Sequence, residues 1–88
     1  MVSQQFTIID PQGLHARPTS KLVGTASKFT SNINLKAKGK EVNLKSIMGV
    51  MALGIGLGDE LIITAEGDDE QAALDALKDT LINEGLAE

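Results

Sequence analysis

Two apolar periodicities alternate along this chain, and that alternation constrains its fold more than any other feature. Gln4–Ile9 places Phe6 and Ile8 two residues apart, as one face of a strand requires. Ala16–Ser27 instead carries Leu22, Val23 and Ala26, with Phe29 beyond, at close to helical spacing, and Pro18 falls in the first turn, where a missing N–H costs nothing. Asn32–Ala37 and Lys40–Leu44 return to a period of two, burying Ile33, Leu35, Val42 and Leu44 around a turn at Lys38-Gly39. Ser46 is placed to cap a short helix over Ile47–Leu53, which the glycines at 54, 56 and 58 terminate. Glu60–Glu66 carries Leu61 and Ile63 as a fourth strand. Glu70–Asn83 is a helix with Leu74, Leu77 and Leu81 in its stripe, Asp68 and Gln71 at capping-box spacing, and Gly85 as its end.

The predicted order is βαββαβα. Strands that alternate apolar and polar residues suit a sheet covered on one face only, because a doubly covered sheet would show continuous apolar runs. The expected architecture is α+β: an open-faced β-sandwich, a four-stranded antiparallel sheet with three helices on one face and split βαβ connections. No linker, repeat or low-complexity tract divides the 88 residues, so 1–88 is read as a single domain.

Composition removes several function classes. There is no Cys, which excludes disulfides and thiolate chemistry, and a lone His without clustered carboxylates argues against a metal. No cofactor is expected. No apolar run approaches the roughly 18–20 residues of a membrane span, and the first residues lack a signal segment's pattern, so membrane insertion is not expected and a cytoplasmic location is. Two Phe, no Trp or Tyr and a net charge of −4 argue against direct nucleic-acid binding. The charge is uneven. Residues 1–58 hold seven basic and two acidic side chains, and residues 59–88 hold one basic and ten acidic. The basic front half reads either as a surface that attracts anions or as an ordinary solvated face beside an acidic helix.

The only histidine lies in Gly13-Leu14-His15-Ala16-Arg17-Pro18, where a loop becomes a helix. The first amides of a helix lack internal partners and carry partial positive charge, so this end suits a phosphate. An imidazole there can serve as a nucleophile. Arg17 can set a guanidinium against phosphoryl oxygens, and Gly13 permits a tight loop that exposes the ring. The plainer account of His15 is an N-cap or a surface residue with Arg17 solvated.

Lys45-Ser46-Ile47-Met48-Gly49-Val50-Met51 forms a second constellation. On a two-turn helix one or two of its apolar side chains must stay exposed, giving an adaptable protein-binding patch. A phosphate on Ser46 would add about two negative charges beside that patch and oppose an acidic partner. The plainer account of Ser46 is a structural cap. Gly54, Gly56 and Gly58 lack the Lys-Ser/Thr of a phosphate-binding loop and read as a flexible connection. The acidic residues at 66, 68, 69 and 70 read as helix-start charges, with a weak cation site as the other possibility.

With GLHARP at 13–18 and KSIMGVMALG at 45–54, the sequence resembles the HPr family, the histidine-containing phosphocarriers of the bacterial sugar phosphotransferase system. The likeness extends over essentially the whole chain, and the serine segment is similar to that of low-GC Gram-positive members. The resemblance implies the HPr-like βαββαβα fold and a phosphocarrier, which is not an enzyme in the ordinary sense because its phosphohistidine is consumed each cycle. It implies that His15 accepts phosphate on Nδ1 from phosphorylated Enzyme I and passes it to sugar-specific IIA proteins. Arg17 would steady the phosphoryl group together with the backbone amides of Ala16 and Arg17. Ser46 would be the target of HPr kinase/phosphorylase, that form binding a CcpA-type regulator in carbon catabolite repression. Ser20, Ile47, Met48 and Met51 would belong to the docking surface, and one face serving several partners implies a monomer. Crh, a relative that keeps the serine segment without the active histidine, is the weaker match because His15 is present.

Two positions depart from the family's usual pattern. Gln12 stands where a small hydroxyl residue is common, and Gly24 where a longer polar side chain is. A contrasting reading is a noncatalytic module that acts through its open sheet, or a regulatory one that acts through Ser46.

Overall fold

In the computed structural model, which describes all residues Met1–Glu88, the alternating segments become β1 (Val2–Thr7), β2 (Asn32–Ala37), β3 (Lys40–Asn43) and β4 (Glu60–Glu66). The helical segments become α1 (Ala16–Ala26), α2 (Ile47–Met51) and α3 (Glu70–Asn83). The strands form one sheet in the order β1-β4-β2-β3, every neighbouring pair antiparallel. β1 and β2 therefore run parallel with β4 between them, and β3 and β4 run parallel with β2 between them. Both α1 and α2 are thus crossovers of split βαβ units, as expected.

Register decides which face is covered. Phe6 opposes Leu61, Leu35 opposes Ile63 and Val42, and Ile33 opposes Ala65. These side chains share one face and join Leu22, Val23, Ala26, Leu74, Leu77 and Leu81 of the helices in a single core of 22 buried apolar residues. Fully burying one Leu or Ile contributes about 1.5–3 kcal/mol, so this seam is the main source of stability in a chain without cross-links. The opposite face carries Ser3, Gln5, Asn32, Asn34, Lys36, Glu41 and Thr64 and stays open. Val42 and Phe29 are only partly buried against the core.

Several boundaries differ from the sequence reading, each for a physical reason. β1 starts at Val2, ahead of the expected Gln4, because inward-facing Gln4 interrupts the apolar period. It ends at Thr7, beyond which Ile8 and Ile9 are bonded on two sides. The Ile8 N–H donates to Asp59 O (2.9 Å) and the Ile9 N–H to Leu86 O (2.8 Å). Thr7 and Glu88 exchange backbone bonds at 2.9 and 3.0 Å, so the C-terminal residues lie along the end of this segment. β3 stops at Asn43, although Leu44 still donates to Ile33 O and is fully buried. α2 closes at Met51, where Leu53 and Gly54 bond three residues back to Val50 and Met51.

The capping box expected from Asp68 and Gln71 does not form. The N-cap of α3 is Asp69, whose carboxylate instead accepts from the backbone and hydroxyl groups of Thr30 and Ser31. Glu70 accepts from the Gly67 N–H at 3.2 Å, and Gln71 donates to Asp75 at 3.0 Å. Asp69 is drawn to the α1–β2 turn because two backbone N–H groups there need acceptors.

Candidate functional site

The segment before α1 is held from below by its own backbone. Gly13 adopts φ +66°, and a Cβ at this position would lie 2.3 Å from Ile55 O. Only glycine lets the loop settle onto Ile55–Gly56, where the Leu14 N–H donates to Ile55 O (3.0 Å). Leu14 is buried, and its carbonyl accepts from the hydroxyl of fully buried Thr19 (3.2 Å). The Thr19 N–H in turn donates to His15 O (3.1 Å). The glycine-rich stretch read as a flexible connection is therefore the bed on which this loop rests.

His15 occupies the N-cap position of α1, yet its side chain makes no capping hydrogen bond. That answers the plain N-cap account: the imidazole is 39% exposed and not used in holding the helix. Directly after it come the first amides of α1, at Ala16 and Arg17, which have no intrahelical acceptor. Arg17 is exposed and makes no ion pair.

His15, Arg17 and Pro18 share a shallow depression of about 170 Å³ with Asp10, Glu84 and Leu86. Asp10 closes a small turn, its Oδ1 accepting from the Gln12 N–H (2.8 Å) and its carbonyl from the Gly13 N–H (2.9 Å). Its Oδ2 lies 4.0 Å from His15 Nε2. Glu84 is held by Lys21 of α1 at 2.7 Å, and Leu86 accepts from Ile9, so the end of the chain forms one wall. Two other depressions, of about 220 and 240 Å³, lie over the open sheet face. They are lined by Gln5, Lys36, Glu60, Asn32, Asn43 and similar residues and contain no nucleophile beside a cation of the His15–Arg17 kind. No group of three or more His, Asp or Glu side chains is arranged to hold a metal.

Ser46 caps α2 as expected, its hydroxyl accepting from the Gly49 N–H (3.1 Å). Val50 is buried, while Ile47, Met48 and Met51 are 44%, 83% and 39% exposed, more open apolar surface than a two-turn helix was expected to show. α2 packs against α1, which carries exposed Ser20. Gln12 contributes its backbone N–H to the Asp10 turn, and Gly24 faces open space on α1.

Sequence reasoning placed His15, Arg17 and the Ser46 cap. It missed Asp10, Thr19, Glu84 and Leu86. The Asp-x-x-Gly spacing at 10–13 carried a signal for the first. Nothing local marks the others, which reach the site only through packing.

A four-stranded open-faced sandwich with an exposed histidine that makes no hydrogen bond, and an unpaired arginine beside it at a helix start, has the form of a phosphocarrier. Comparison with known proteins agrees. The PTS-HPr family, described as the PTS HPr component phosphorylation site, matches residues 2–83. The histidine-containing phosphocarrier protein of Mycoplasma is 47% identical, with 99% of each chain covered and a TM-score of 0.96. The phosphocarrier protein HPr of Bacillus anthracis is 42% identical over 90% of this chain and 94% of that one, with a TM-score of 0.83. Crh of Bacillus subtilis is 43% identical over 96% and 97%, with a TM-score of 0.74. The chain belongs to the HPr family of phosphocarriers of the sugar phosphotransferase system. No helix is long and apolar enough to cross a membrane.

Proposed function

We propose that His15 is the phosphoryl acceptor, taking the group on Nδ1 from phosphorylated Enzyme I and yielding it to IIA proteins. The observation that carries this reading is the His15 imidazole, exposed at the N-cap of α1 and free of any capping bond, beside unpaired Arg17. A carrier must release what it accepts, so a shallow site with one guanidinium and the Ala16 and Arg17 amides suits it better than a closed phosphate loop. In-line transfer between two proteins also needs an acceptor that a partner can approach closely. The exposed Ile47, Met48 and Met51, with Ser20 on the neighbouring helix, form the docking surface in this reading. The basic first 58 residues suit acidic partner faces and speed encounter.

Ser46 is the regulatory site in the same reading, modified by HPr kinase/phosphorylase and then recognised by a CcpA-type regulator. Its support is the position of the hydroxyl at the α2 cap, next to the exposed methionines. Phosphate there puts negative charge on the docking surface and slows transfer from His15. The whole chain acts in this reading as one cytoplasmic domain and as a monomer.

The test is incubation with phosphoenolpyruvate and Enzyme I, followed by intact-mass analysis. The wild type gains one acid-labile phosphoryl group and His15→Ala gains none. Kinase with ATP adds an acid-stable group that Ser46→Ala lacks. Absence of an acid-labile group with active Enzyme I overturns the carrier reading and leaves the Ser46-only alternative.

A further inference from the structure

The His15 ring makes no hydrogen bond within the protein, and the carboxylate nearest to it lies on one side. Asp10 Oδ2 stands 4.0 Å from Nε2, a charge-pair distance longer than a hydrogen bond. The carboxylate is not a loose surface group. Its other oxygen accepts from the Gln12 N–H, its own carbonyl accepts from Gly13, and its N–H donates to Leu86 O at 3.3 Å. Asp10 is also less exposed than the imidazole, at 23% against 39%. A negative charge is thus fixed by the turn, with Nε2 as the nearer of the two ring nitrogens. The other charged groups lining the depression are Arg17 and Glu84, and Lys21 already engages Glu84.

We propose that Asp10 is a positioning residue for phosphoryl transfer, its charge favouring the Nε2–H form of His15 and balancing the charge the ring acquires. The proposal rests on His15 being the phosphoryl acceptor. In the accepting step the Nδ1 lone pair forms the N–P bond while the donor's bond to phosphorus breaks and its electron pair leaves with the donor. The Nε2 proton stays in place, so the ring becomes formally cationic and faces the Asp10 carboxylate. In the donating step the N–P bond breaks, its electron pair returns to Nδ1, and the same tautomer is restored. A carboxylate charge nearer Nε2 than Nδ1 favours the proton at Nε2 and leaves the Nδ1 lone pair for the incoming phosphoryl group.

The test uses Asp10→Asn, whose side-chain oxygen can still accept from the Gln12 N–H while the charge is lost, and Asp10→Ala as the second variant. Transfer from phosphorylated Enzyme I is measured together with thermal unfolding and the 15N shifts of the His15 ring. Asp10→Asn is expected to unfold like the wild type and to transfer roughly five- to tenfold more slowly, the size set by a charge pair about 4 Å apart in a largely aqueous dielectric. Its ring shifts are expected to move toward the Nδ1–H tautomer, a change that a purely structural residue would not cause. Wild-type rates and unchanged ring shifts in both variants overturn the proposal. Failure of the wild type itself to accept phosphate on His15 overturns the carrier reading instead, so the two failures are distinct.

Discussion

At Gly13, one hydrogen in place of a side chain determines whether the loop can carry His15 where it does. The sequence showed that a glycine before the histidine allows a tight turn, but not what the turn rests against. That surface is the Ile55 carbonyl, 42 positions away, and a Cβ would meet it at 2.3 Å. Gly13→Ala is expected to cost about 2 kcal/mol or more, from the left-handed backbone and from displacement of the Leu14–Ile55 bond. Urea unfolding measures the loss of stability. Phosphoryl transfer at a temperature where the variant remains folded is expected to fall as well, because the moved loop carries Asp10 and His15 with it. Thr19 makes the same point from the buried side: a polar residue in a helix has no local reason to be fully buried, and its reason is Leu14 O.

Among the elements, α1 was legible almost to the residue because it has a proline-marked start, an apolar stripe and no competing pattern. Its interior Gly24 is the one local inconsistency, and the structure supplies no compensation, since a Cβ there would meet nothing within 4 Å. Gly24→Ala is therefore expected to stabilise the protein by about 0.5–1 kcal/mol. For a domain of this size that is a rise in Tm of very roughly 3–8 °C by calorimetry, with transfer from His15 unchanged. β1 was the least legible element. Gln4 breaks its apolar period at the start, and its far end is continued by bonds to Gly58, Asp59 and the residues after α3. A strand whose partners change along its length does not show its limits in its own residues.

On the scale of the whole molecule, Asp69 joins the start of α3 to the turn between α1 and β2. Hydrogen bonds from the Ser31 hydroxyl, then from the Thr30 and Ser31 backbone and the Thr30 hydroxyl, hold its carboxyl down at about 2, against an ordinary value of 3.8. Glu70 and Asp59 are lowered too, chiefly by the N–H groups of Gly67 and Gly56 respectively. A carboxyl lowered in the folded state binds fewer protons there than in the unfolded chain. Its stabilisation is therefore complete above the unfolded value and disappears as pH falls through the folded one. Stability is expected to decline between about pH 4 and pH 2. Asp69→Asn is expected to be less stable than the wild type at pH 6, with the difference narrowing toward pH 2. Denaturant midpoints at the two pH values check this, and a constant difference would count against the Asp69 contribution.

The sequence by itself determined the element order, the covered face of the sheet, the histidine and arginine at the start of α1, and the serine at the start of α2. Those features depend on periodicity and on helix-end chemistry, which act over a few neighbouring residues. Tertiary structure alone decided that Asp69 clasps Thr30 and Ser31 while no Asp68–Gln71 capping box forms, that Ile55 and Gly56 support the His15 loop, and that Asp10 stands 4.0 Å from Nε2. These arrangements join groups distant along the chain or set a side chain's direction, and they follow from which polar groups the closed core brings together, something no run of neighbouring residues can show.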